Sequence, residues 1–102
     1  MGKYVLAYKG GGMAETTAAQ EAVMKAWMDW FGTLGSAVVD GGNPFGPSTA
    51  VQGDGSAAAT TAGLTGYSVL EADSLELAAK LAGGCPVLAA GGSVEVYETI
   101  AV

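Results

Sequence analysis

Acid–base or nucleophilic chemistry in this chain falls to tyrosine, cysteine and carboxylate side chains, because it contains no histidine. The commonest general base near neutral pH, the usual nucleophilic triads and the commonest metal ligand are missing with it. Cys85 is the single cysteine. It is placed just past the C-terminus of an expected helix, where the negative end of the dipole disfavours a thiolate, so it reads as structural. Asp40, Asp54, Glu71, Asp73 and Glu95 lack calcium-loop spacing and read as solvated or capping groups, so neither a metal nor a cofactor is expected. Gly10-Gly11-Gly12 invites a nucleotide reading. The dinucleotide fingerprint, however, needs glycine where Glu15 stands, and no Gly-Lys-Ser/Thr follows, so the triplet reads as a turn.

The tyrosines are the most suggestive set. Tyr4, Tyr8, Tyr67 and Tyr97 fall at strand positions, and parity within each strand lets them share one sheet face with Glu71 and Glu95. That face either packs a dimer contact, which amphipathic rings do well, or forms a small pocket where hydroxyls and carboxylates converge. The candidate ligand pocket is Tyr8, Asp40, Asp54, Tyr67 and Glu71, placed between the open sheet face and the long 43–63 segment. A segment of that length is usually functional, and it alone could act as a lid. A half-buried Glu71 or Asp40 there is the group able to transfer a proton.

Positioning such a site requires strands and helices, and the sequence supplies both kinds of period. Lys3 to Lys9 alternates as a strand. Residues 17–34 have Val23, Trp27, Trp30 and Leu34 on one helical stripe with Ala26 and Phe31 beside it; Thr17 and Gln20 suit a capping box, and Gly35 a C-cap. Two tryptophans at helical spacing among aliphatics read as core rather than as a cofactor platform. Ser36 to Asp40 reads as a short strand. Residues 43–63 shift to Gly, Pro, Ser, Thr and Ala, with a small hairpin expected from arms 48–52 and 56–60 about Asp54-Gly55. Residues 66–72 form the central strand. The following helix takes Asp73 as its cap and Glu76 as its capping-box partner, buries Leu77, Ala78 and Leu81, and ends through a left-handed cap at Gly83-Gly84 before Pro86. Ser93 to Ile100 is the last strand.

Composition sets the outer limits. With 102 residues and 50% hydrophobic content, a single domain spanning 1–102 with a real core is expected. A net charge of −6 and a pI near 4.1 repel phosphate backbones and anionic lipid, so nucleic acid is not an expected partner. No run approaches the roughly 20 apolar residues of a membrane span, and the apolar stretch in MGKYVLAYKGGG is too short for a signal peptide, so no membrane partner is expected either. One cysteine permits no internal disulfide, which fits a reducing, cytoplasmic setting.

The stretch GYSVLEADSLELA (66–78), the Cys85-Pro86 break and GGSVEVYE (91–98) together resemble the YCII-related family, in particular its branch named for a DGPF stretch. Asp54-Gly55-Ser56 stands where that stretch belongs, keeping the DG and losing the PF. The likeness runs over nearly the whole chain, and its motifs are structural rather than catalytic. It implies a ferredoxin-like α+β protomer, βαββαβ, that forms a homodimer through its sheets as a dimeric α+β barrel. Some relatives are suspected of using a His and Asp pair, a mechanism that a chain without histidine cannot inherit. Two function classes follow: a small-molecule-binding or accessory module, and a cofactor-free enzyme acting in the dimer-barrel cavity. The second rests on analogy of fold alone.

Overall fold

A computed structural model describes residues 2–11 and 16–101. Gly12 and Glu15, used above to judge the glycine triplet, lie outside the described residues. The elements are β1 (Gly2–Lys9), α1 (Thr17–Leu34), a 3-10 turn (Gly35–Ala37), β2 (Val38–Asp40), β3 (Ala50–Val51), β4 (Ala57–Ala58), β5 (Leu64–Ala72), α2 (Leu75–Ala82), α3 (Pro86–Ala89) and β6 (Ser93–Glu98). Strands β2-β5-β1-β6 form a four-stranded sheet, and β3-β4 form the separate hairpin expected about Asp54-Gly55. Every pairing is antiparallel. The result is an α+β chain whose topology is compatible with a ferredoxin-like fold.

Helix α1 spans 17–34 with Gly35 as its C-cap, as expected, but the N-cap of each of the two longer helices differs from expectation by one residue, for a common reason. A cap must itself be extended, one step before the first helical residue. Thr16 rather than Thr17 has that geometry (φ −108°, ψ 155°), and its Oγ1 accepts from the Ala19 N–H at 3.1 Å. Ser74 rather than Asp73 does the same for α2, accepting from the Leu77 N–H at 3.1 Å. Gly83 does not make the expected left-handed cap: it stays right-handed (φ −60°), and its N–H continues to Ala79 and Lys80 carbonyls. Pro86, expected only as a stop, opens α3 at a first-turn position where its missing N–H costs nothing. On α2 the buried residues are Ala78 and Ala82, while Leu77 stays 40% exposed. The last strand ends at Glu98, two residues short of Ile100.

Register decides which side chains share a face, since residues directly opposite in an antiparallel pair point the same way. Tyr4, Leu6 and Tyr8 stand opposite Leu70, Ser68 and Gly66 on one side, and opposite Glu98, Val96 and Val94 on the other. That face is the buried one: Leu6, Leu70 and Ser68 are completely enclosed, and the helices cover them. Lys3, Val5 and Ala7 share the opposite, open face with Glu71, Val69 and Tyr67, and with Glu95 and Tyr97. The four tyrosines therefore do not lie together. Tyr4 and Tyr8 are core residues, and only Tyr67 and Tyr97 share the open face with the two glutamates. No helix among the described residues is long and apolar enough to cross a membrane.

Candidate functional site

Helix α1 is docked by its C-terminal half only. Trp30 is buried, with Trp27, Phe31 and Leu34 packed beside it, whereas Val23 and Met24 are 45% and 65% exposed. Of the stripe read from the sequence, Trp27, Trp30 and Leu34 are thus core, and Val23 at its N-terminal end is free wall. Between that wall and the end of the sheet opens a groove of about 1750 Å³, bounded opposite α1 by Gly10-Gly11, Gly41 to Pro44, and the segment from Gly83 through α3.

An aromatic cluster makes its floor. Tyr8 and Trp27 meet edge to face at 5.0 Å, Trp27 and Trp30 at 5.7 Å, and Trp30 and Phe31 lie 5.1 Å apart. Such contacts add about 0.5–1.5 kcal/mol per pair beyond area burial, which holds the rings in place. Trp30 is fixed further by donating its Nε1–H to the Leu81 carbonyl at 3.3 Å. Tyr8 donates its hydroxyl to Ser68 Oγ at 2.7 Å, and Ser68 donates in turn to the Gly41 carbonyl at 2.7 Å. This relay ties β1 and β5 to the groove rim, running from the buried Tyr8 and Ser68 hydroxyls out to the exposed Gly41.

The opposite wall is backbone. Glycine at 42 is obligatory: its φ is +73°, and a Cβ built there would collide with the Tyr67 carbonyl oxygen. At Gly84 a Cβ would press on the Trp30 ring at 3.2 Å. Gly42 thus lets the rim backbone pass close to β5, and Gly84 leaves room for the Trp30 ring.

The two buried titratable groups of the groove, Tyr8 and Cys85, are neutral at pH 7. Burial pushes the Tyr8 phenol up to about 12, against the hydrogen bond with Ser68, which lowers it. Burial likewise pushes the Cys85 thiol up to about 11, with the Val87 N–H working the other way. A buried thiol so raised is not a nucleophile at neutral pH. Asp29 stands at the outer edge, exposed and paired with Lys25 at 3.0 Å. Such a lining binds by shape and dispersion rather than by charge.

Of the five residues proposed from sequence, Tyr8 and Tyr67 border this groove and the other three do not. Tyr8 points to the helix face. Tyr67 stands on the open face, stacked on Phe45 at 5.8 Å. Glu71 is half-buried on the open face opposite Lys3. Asp40 is exposed and accepts from the Gly42 N–H at 2.8 Å, a local turn contact. Asp54 sits at the hairpin tip, where Ser56 donates both its N–H and its hydroxyl to the carboxylate and holds it below the usual carboxylate range. The cleft expected between open face and 43–63 segment therefore has no converging carboxylates. Among the described residues no three His, Cys, Asp or Glu side chains group as metal ligands.

The reading of the tryptophans as core holds, since Trp30 is buried with Trp27 and Phe31 packed beside it; that the same rings border a groove was not read from the sequence. The available signal was the recurrence of glycine doublets at 10–11, 41–42 and 83–84, all of which line the groove, with Gly41 nearest Phe31 and Gly84 nearest Trp30. No protein-family profile matches the chain, and no curated protein matches it.

Proposed function

We propose that the chain is a small-molecule-binding module of the YCII-related, ferredoxin-like kind, acting as a homodimer through its open sheet face and holding an apolar ligand in the groove beside α1. One observation carries this reading: an aromatic floor faces bare glycine backbone, and both buried titratable groups there are neutral. The dimer is supported by Val5, Val69 and Tyr97, which alternate outward on a face that no helix covers. A cofactor-free enzyme is the less favoured reading, because Asp40, Asp54 and Glu71 stand away from the groove.

Both tryptophans lie at the groove, so intrinsic fluorescence reports on its contents. The probe is the neutral apolar dye N-phenylnaphthylamine, titrated while tryptophan emission and energy transfer to the dye are followed. Saturable transfer is expected. Val23→Asp, on the exposed groove wall, weakens it at least about tenfold by placing a charge beside an apolar ligand, while Met28→Asp, exposed but outside the groove, leaves it unchanged. Absence of saturation, or equal loss in both variants, overturns the proposal.

A further inference from the structure

The groove beside α1 is larger than a compact ligand needs. Its volume of about 1750 Å³ exceeds the roughly 300–1,000 Å³ of ordinary small-molecule pockets. It is also long. Gly41 lies against Phe31, so the glycine rim begins level with that ring, and the wall then runs back along α1 to Gln20. Over those residues the helix rises about 16 Å.

Charge on the lining is one-sided. Among the described residues Asp29 is the charged group that borders the groove, and none of Lys3, Lys9, Lys25 and Lys80 does. Gly83 and Gly84 bring the C-terminal, negative end of α2 to the same space, and the chain carries −6 overall. A carboxylate entering here would be desolvated without a partner. A cationic head gains little either, because Asp29 is already paired with Lys25 at 3.0 Å.

An uncharged polar contact is nevertheless built into the rim. The Asn43 carbonyl accepts the Tyr67 N–H at 3.4 Å, Pro44 bridges to Gly66, and Phe45 donates its N–H to the Thr65 carbonyl at 2.9 Å, which pins this stretch to β5. Gly66 is the spacer between it and the aromatic floor: a Cβ there would lie 3.2 Å from the Asn43 carbonyl oxygen and 3.5 Å from the Tyr8 ring. Of the other polar groups on the lining, the Thr65 and Thr33 hydroxyls already donate to backbone carbonyls. The Asn43 side-chain amide has no hydrogen-bond partner among the described residues, so it offers a donor and an acceptor together, both uncharged.

We infer that the ligand is a long uncharged amphiphile, of the alcohol, ester or amide class, whose apolar body lies along the aromatic floor and α1 while its head exchanges hydrogen bonds with the Asn43 amide. The inference rests on the small-molecule reading above, and its test separates the two.

Displacement of N-phenylnaphthylamine is measured with octanol, decanol, dodecanol and dodecanoate, each below its micellar concentration, at pH 8, where the carboxylate is ionised. Expected is tighter binding with each methylene added to the alcohol, toward the about fourfold that complete burial gives. Asn43→Ala is expected to weaken dodecanol about threefold to tenfold through loss of the head's hydrogen bond, with the dye's own affinity unchanged. Asn43→Lys is expected to strengthen dodecanoate at least about tenfold by supplying the missing cation. Ala22→Lys, which adds the same charge farther along the wall, leaves dodecanoate within about twofold, because solvent and salt screen it there. Saturable dye binding overturns the inference and leaves the groove reading standing if the alcohols do not displace the dye, if Asn43→Ala weakens dye and dodecanol equally, or if Asn43→Lys brings no gain for dodecanoate beyond that of Ala22→Lys. Dye binding that does not saturate overturns both.

Discussion

Removing the Ser68 hydroxyl should be among the costlier single-atom changes in this molecule. Ser68 is 0% exposed and sits in the middle of a relay, accepting from Tyr8 at 2.7 Å and donating to the Gly41 carbonyl at 2.7 Å. Ser68→Ala deletes two hydrogen bonds, each worth about 1 kcal/mol net, and strands the Tyr8 hydroxyl without an acceptor, which adds about 1 kcal/mol or more. The expected loss is therefore about 3 kcal/mol. Tyr8→Phe removes one bond and strands nothing that Gly41 does not already satisfy, so about 1 kcal/mol is expected. In the double variant no hydroxyl is orphaned. It should lose about 2 kcal/mol, and thus be more stable than Ser68→Ala alone. The assay is urea unfolding followed by tryptophan emission at fixed protein concentration, compared at unchanged m value. A double variant less stable than Ser68→Ala, with costs that simply add, would refute the relay as a coupled buried network.

Two further outcomes follow from single positions. Gly42→Ala should cost at least about 3 kcal/mol, from positive φ and a carbonyl clash together, whereas Gly55→Ala, also at positive φ (+88°) but with no atom within 4 Å of its Cβ, should cost only about 1 kcal/mol; thermal unfolding of the pair checks the contrast. In alkali, stability is fully present below the ordinary thiol value of 9.0 and is lost as pH rises through the folded values of about 11 for Cys85 and about 12 for Tyr8, because the unfolded chain releases those protons first. Tyr8→Phe should remove the upper part of that fall, measurable as the midpoint of denaturant unfolding between pH 8 and pH 12.

What could be read from the sequence was set by near neighbours along the chain. The period-two runs at 3–9 and 66–72, the helical stripe at 17–34 and the Asp54-Gly55 turn each depend on residues a few positions apart, and the structure has each of them. Cap positions slipped by one because Thr16 and Thr17, like Asp73 and Ser74, are adjacent good caps; backbone geometry at the junction picks between them. Which tyrosines share a face was not legible, because alternation fixes parity within β1 and β5 but not the register between them. Once Tyr8 paired with Gly66, it faced the helices, and Tyr67 necessarily faced away. The groove was equally hidden. An amphipathic stripe states that Val23, Trp27 and Trp30 point one way, but how far along the stripe the body of the protein reaches is decided by where the glycine-edged loops come to rest. Ser68 shows the same limit: a serine in an alternating strand reads as an ordinary polar residue, and only the tertiary structure brings Tyr8 and Gly41 to either side of it and makes it the centre of the core.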